Sequence, residues 1–281
     1  MASKDELRGW LLLLLIVLAA HAVSQISQSA RLLSISGGAD GPGEEEGLSR
    51  WEETPWRHIG TFKSVETFVK QVPGSKLHAF RGLTVLKDLH ISSAIAHFYD
   101  TSLAHQWIET LDSISEYSFP PPQSAQERDP RAEEEWRRRR AEATLRLQPL
   151  TESLKTTDLV YQVTRLPWPV SYRDVLLQRD WDYDVSQKTV TVKYHSISDP
   201  IRCPEQKRFV RAISPHTLWR FKAVPGGATQ VEIECIVDSK GSVPAFLVNW
   251  FQRSFPADSL TAFYALAKKG IAPPHGRVVD W

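Results

Sequence analysis

The chain has only two cysteines among its 281 residues, Cys203 and Cys235, and no CxxC pair or Cys/His cluster with zinc spacing. That absence speaks against a structural metal site, and no metal ligand is nominated. The two thiols could pair in an oxidising compartment. Two separate thiols, with Cys235 in a strand, is the plainer reading.

An excess of charge of one sign is also missing. Lys+Arg number 34 against 33 Asp+Glu, for a net +1. A nucleic-acid binder would show a basic excess or stripe, so no nucleic-acid partner is expected. Catalytic signatures are missing too: there is no GxSxG, HExxH, P-loop or GxGxxG. GGADGPG has no strand pattern before it and no helix pattern after it, so it is not a nucleotide fingerprint. His90 and His97 read as core or edge histidines, and Asp180 and Asp182 as solubilising residues. No catalytic residue is nominated, and the chain is not read as an enzyme.

No apolar run reaches the roughly 20 residues of a bilayer span. The longest, WLLLLLIVLAAHAV at 10–23, is followed by nothing comparable. Ala20-His21-Ala22 fits cleavage after Ala22, so residues 1–22 read as a secretory signal peptide. Asp5 and Glu6 weaken its basic flank and keep a signal anchor open. Either way the endomembrane system (ER and secretory pathway) is expected: lumenal or secreted if cleaved, membrane-anchored if retained.

Hydrophobic residues make up 42% of the chain, including ten tryptophans and eleven phenylalanines. This suits one well-cored domain of about 200 residues with an aromatic interior or an aromatic-lined cavity. Residues 23–55 are polar and glycine-rich, a disordered linker. The domain spans 56–270 and a tail covers 271–281. Residues 61–72 and 76–89 read as strands or strand pairs around Pro73-Gly74, and 92–111 as helix broken near Asp100. At 120–150 a proline-rich loop and a charged helix, AEEEWRRRRAEATLRL, form an insertion whose Glu/Arg pairs at i, i+4 suit a solvated face.

Strand-like runs follow at 158–165, 175–184, 189–197, 207–213, 219–224 and 229–238. In the last of these, Val231, Ile233, Cys235 and Val237 alternate with Gln230, Glu232 and Glu234. Such alternation belongs to an antiparallel sheet covered on one side and wet on the other. A closing helix runs from about Val243 to Lys269. The layout is α+β.

One charge lies on the covered face. In VLLQRDWDYD, Arg179 shares its side with Val175, Leu177, Trp181 and Tyr183. A buried arginine is costly unless paired or functional, so it is either matched by a core carboxylate or faces a ligand cavity. The closing helix is odd in another way: Phe246, Leu247, Val248, Trp250 and Phe251 leave its first turns no polar side. One arc, with Phe246 and Trp250, can face the sheet. The other, with Val248, Phe251 and Phe255, then packs on the 91–112 helices or touches membrane, and Pro256 permits a bend.

Several stretches together resemble the steroidogenic-acute-regulatory-related lipid-transfer (START) domain. LVYQVTRLPWPVSYRDVLLQR carries Pro167, Pro169, Arg173 and Asp174. VRA carries Arg211, and DSKGSVPAFLVN carries Gly241 and Pro244. YDTSLAHQW carries Asp100 and Trp107. The look is nearest to phosphatidylcholine-transfer-protein-like members, although Ala104 stands where phosphatidylcholine binders have arginine.

The resemblance implies a helix-grip fold, a curved antiparallel sheet around a long C-terminal helix that encloses a lipid tunnel. It implies no cofactor, a monomer, a lipid ligand and contact with membrane surfaces. Arg179, Tyr161, Gln162 and Phe98 match tunnel positions, joined by Trp181, Phe246 and Trp250. Phe251, Phe255 and Pro256 would gate. A membrane-tethered sensor or scaffold, and a cavity enzyme of the same superfold, are the alternative readings.

Overall fold

The structure, a computed structural model, describes residues 54–116, 152–166, 170–201, 203–241, 243–269 and residue 279. The stretches read as leader and charged insertion (1–22, 120–150) lie outside the described residues, as do 23–53 of the stretch read as linker (23–55), Pro167, Pro169 and Ser242. The strands are β1 (Arg57–Phe62), β2 (Val65–Gln71), β3 (His78–Leu86), β4 (Leu111–Glu116), β5 (Leu154–Thr164), β6 (Arg173–Asp184), β7 (Thr189–Ser196), β8 (Val210–Arg211), β9 (Ile213–Val224) and β10 (Ala228–Asp238). The helices are α1 (Ile91–Tyr99), the 3-10 helix Thr101–Gln106, and α2 (Ala245–Lys268).

The ten described strands form one curved sheet in the order β1-β2-β3-β10-β9-β7-β6-β5-β4, with β8 alongside β6. Every pairing is antiparallel except β6 with β8. This is the helix-grip arrangement, with α2 resting on β2, β3 and β10 and α1 on β9 and β10. Alternation decides which side chains meet α2. Trp181 and Tyr183 of β6, Val190 and Val192 of β7, Trp219 and Phe221 of β9, and Val231 and Ile233 of β10 form one core with Phe98, Leu260 and Phe263. Val279 belongs to the same core.

Residues 61–72 hold a strand pair, one of the two readings left open, whose turn residues, Lys63 and Ser64, sit at φ +51 and +66. Glycine or asparagine ordinarily marks such a turn, and neither is present. Two other points differ from the pattern reading. Leu111 opens β4 rather than ending a helix, because the 3-10 helix has already stopped at Gln106. Glu232 is not on a wet face: it is 4% exposed, paired to Arg81 at 2.5 Å and Arg220 at 2.6 Å.

The closing helix lies close to the sheet at one point. A Cβ on Gly82 of β3 would sit 2.7 Å from the Pro256 Cβ and 3.2 Å from Leu260. The missing side chain lets Pro256 press on the sheet, and α2 runs unbroken through it. Two polar side chains hold the N-terminal half. Asn249 accepts from the His78 N–H at 2.8 Å and donates to the Lys76 carbonyl at 2.9 Å. Gln252 brackets Val237, accepting its N–H at 3.1 Å and donating to its carbonyl at 2.6 Å.

Candidate functional site

Arg179 is 1% exposed and lies inside the sheet, as its alternation indicates. Register places Asp158 of β5 and Tyr194 of β7 on either side of it. Its Nε and Nη2 each donate to an Asp158 carboxylate oxygen at 2.7 Å, a bidentate fork. The guanidinium also stands 5.2 Å from the Trp181 ring. Burial alone would lower its pKa, but Asp158 and then Tyr194 outweigh it, and the arginine is held charged above its ordinary range. Burial pushes the Tyr194 phenol up, with Arg179 pulling the other way. Of the two readings left open, the structure has the paired one: a matched ion pair rather than a bare charge.

A groove of about 1230 Å³ opens between α2, the 3-10 helix and the end of β5, and neither Arg179 nor Asp158 is one of its walls. Trp107, Phe251, Phe255 and Ser259 are among its walls, and Arg165 and Tyr172 stand on the far side. Lys63 of the β1–β2 turn reaches across to Asp258 of α2 at 2.7 Å. Hydrogen bonding to Asp258 raises the Lys63 pKa. Both groups are well exposed, so the pair adds little stability.

The nominated residues fall into different places. Trp181, 1% exposed, borders Arg179. Phe98 is 3% exposed and nested in rings, 5.0 Å from Trp219 and Phe221 and 5.6 Å from Trp107. It is packed core and not one of the groove walls. Gln162 shares the Asp158 face of β5. Tyr161, one residue away, necessarily points to the opposite side. Its hydroxyl donates to Asp174 at 2.8 Å and accepts from Gln206 at 3.2 Å. Tyr161 therefore does not line a tunnel with Gln162.

One arc of α2 differs from the sequence reading: Phe246 and Trp250, assigned to the interior, are 62% and 52% exposed. Of the two readings left open for the other arc, packing fits: Phe251 and Phe255 are half-buried groove walls beside the 3-10 helix, and Pro256 and Val248 are buried. The physical reason is the contact of Pro256 with Gly82 together with the Asn249 and Gln252 clamps, which set the rotation of the helix. An all-apolar wheel offers no polar face from which to read that rotation, whereas Asn249 and Gln252 did carry the signal.

Six of the motif residues, Asp100, Arg173, Asp174, Arg211, Gly241 and Pro244, are tied into the fold. Asp100 caps the 3-10 helix through the Ser102 N–H at 3.0 Å. Arg173 donates to the carbonyls of Ser239 at 2.9 Å and Lys240 at 3.1 Å, tying β6 to the turn that leads into α2. In that turn Gly241 takes φ +70, and a Cβ on it would sit 3.4 Å from Arg173. Pro244 is the N-cap of α2. Asp174 receives a fork from Arg211 at 3.0 and 2.9 Å. Cys203 and Cys235 are buried free thiols, the latter pushed up to about 12 by burial. Among the described residues there is no metal-ligating cluster and no helix long and apolar enough to cross a membrane.

The chain matches the START domain family over residues 51–265. The uncharacterized protein PA1579 of Pseudomonas aeruginosa is 24% identical over 216 residues, covering 76% of this chain and 87% of that one. Similar solved structures include human STARD10, with 17% identity, 84% and 83% coverage and a TM-score of 0.57. The STAR-related lipid transfer protein from Xanthomonas axonopodis has 19% identity, 76% and 98% coverage and a TM-score of 0.56. Human StAR-related lipid transfer protein 5 has 13% identity, 90% and 97% coverage and a TM-score of 0.56. At these identities the structures bear on the fold alone.

Proposed function

The chain belongs to the START domain family of lipid-binding and transfer proteins, and from that premise we propose that it carries one lipid between membranes, with its chains against the walls beneath α2. The observation that carries this reading is the open groove of about 1230 Å³ with Phe251, Phe255 and Trp107 among its walls. Each methylene moved from water onto such walls gains about 0.8 kcal/mol, so acyl chains supply affinity without many polar contacts. No catalytic step is invoked, and Arg179, held charged, cannot serve as a base.

Arg179 is already matched by Asp158 and is not a wall of the groove, so it sets no headgroup preference there. Membrane contact falls to Phe246 and Trp250, whose exposure on the N-terminal half of α2 suits insertion at the headgroup level. The gate role first given to Phe251, Phe255 and Pro256 is thereby replaced.

The apolar stretch 10–23 supports placement in the endomembrane system. If it is retained, the carrier works across closely apposed membranes or as a tethered sensor; N-terminal sequencing of the mature protein separates these from a released carrier.

The test is transfer of a pyrene-labelled phosphatidylcholine from donor to acceptor vesicles. The protein accelerates transfer, and the Phe246→Ser/Trp250→Ser pair slows it about tenfold, as expected from losing one well-inserted aromatic or more. Transfer no faster than the spontaneous rate for neutral, zwitterionic and acidic lipids alike would overturn the reading.

A further inference from the structure

Four side-chain atoms among the described residues are buried with no hydrogen-bond partner: Arg81 Nε, His97 Nε2, Trp107 Nε1 and Trp181 Nε1. A buried polar atom left without a partner costs about as much as a lost hydrogen bond, so each calls for an explanation. Only one of the four residues, Trp107, is a wall of the groove.

Packing alone does not call for an indole here. Trp107 is 5% exposed, and its ring sits 5.6 Å from Phe98, 5.2 Å from Trp219 and 5.6 Å from Phe263. A phenyl ring makes contacts of the same kind. What tryptophan adds is the N–H, and the surroundings hold it in place. The Trp107 backbone N–H closes the 3-10 helix on Ala104 at 3.2 Å, the Ile108 N–H does the same at 2.9 Å, and Asp100 caps the start. A ring wedged among three others on a closed turn presents its N–H in one fixed orientation.

We propose that the Trp107 indole N–H donates a hydrogen bond to an ester carbonyl of the carried lipid, fixing the junction of headgroup and acyl chains between the 3-10 helix and α2. The indole N–H only donates, so its partner is an acceptor. The ring lies at a boundary: Phe251, Phe255 and Ala262 share its groove on one hand, while Arg165, Glu109 and the Lys63–Asp258 pair mark the polar side on the other. An ester carbonyl occupies that same boundary within a glycerolipid. The headgroup then lies toward the mouth and the chains run inward, so the ligand class narrows to ester-linked glycerolipids. This inference rests on the lipid-carriage reading.

The experiment uses the full chain and two probes, a diacyl phosphatidylcholine and its dialkyl-ether analogue, which has the same head and chains but no carbonyl. Uptake of each from vesicles is measured for the wild type and for Trp107→Phe. The wild type takes the diester about fivefold better, the factor one net hydrogen bond carries. Trp107→Phe takes up the two lipids equally, and the ratio of the two uptakes is the readout, whatever the substitution does to each alone. A preference that survives the substitution, or none in the wild type, overturns the proposal.

A second readout needs no variant. In protein with 15N-labelled tryptophan, one indole N–H resonance moves downfield on loading with the diester and not with the diether. Uptake of both lipids with no such difference overturns the Trp107 contact and leaves carriage standing. Uptake of neither overturns both.

Discussion

Arg179 and Asp158 face each other across β5 and β6 with two bonds of 2.7 Å, and removing either strips the other of its hydrogen-bonded counter-charge, with Glu116 standing farther from Arg179 at 3.9 Å. Arg179→Leu and Asp158→Leu should each lower the unfolding free energy by about 3–5 kcal/mol. The double substitution should cost clearly less than the sum, and urea denaturation of the four proteins measures that coupling. The inward position of Arg179 was legible from the alternation of β6. Its partner was legible in principle too, since Asp158 lies two residues before the core residue Val160 and on its face. Tyr161 was misplaced because its motif match was followed in preference to strand parity, which forbids it from sharing a face with Gln162. A second residue-scale prediction concerns Glu234. Burial opposes its charge, but His216 at 3.2 Å and Arg81 at 3.8 Å outweigh that and hold its carboxyl below its ordinary 4.5. The stabilisation is complete above pH 4.5 and is lost as pH falls through the lower folded value. Glu234→Gln should therefore flatten the loss of stability below pH 4.5 in an acid series of urea titrations.

At the scale of the element, α2 is where reading and structure part most. Its length and its start were plain from periodicity and from the turn at Gly241. Its rotation was not, because apolar residues surround the first turns and moment arguments need a polar side. The sheet supplies what the helix lacks: a glycine at position 82 and strand ends that Asn249 and Gln252 can bind. Gly82→Ala should push α2 from β3 and cost about 1–3 kcal/mol, read as a lowered melting temperature. The two aromatic arcs should also separate by experiment. Phe246→Ser and Trp250→Ser should leave the melting temperature nearly unchanged and weaken vesicle binding. Phe251→Glu and Phe255→Glu, on half-buried groove walls, should lower the melting temperature instead. A result with the arcs reversed would restore the rotation first read from the sequence. The β1–β2 turn itself carried no signal, since Lys63 and Ser64 adopt left-handed backbone without the residues that advertise it, and so a strand and a strand pair stayed equally open there.

At the scale of the molecule, the α+β layout and the single sheet gripping its last helix followed from strand alternation and motif order together. What alternation cannot supply is how far the helix lies from the sheet, and hence where space remains. That is decided by a few side chains: the absent Cβ at Gly82, the ring of Trp107, and Ser259 in the lower wall of the groove. The account stands on that space holding a lipid. The most direct test is native mass spectrometry of the full chain after incubation with vesicles containing equal parts of phosphatidylcholine, diacylglycerol and phosphatidic acid. One ester-linked glycerolipid per chain is the predicted result. Protein that emerges without lipid would contradict it.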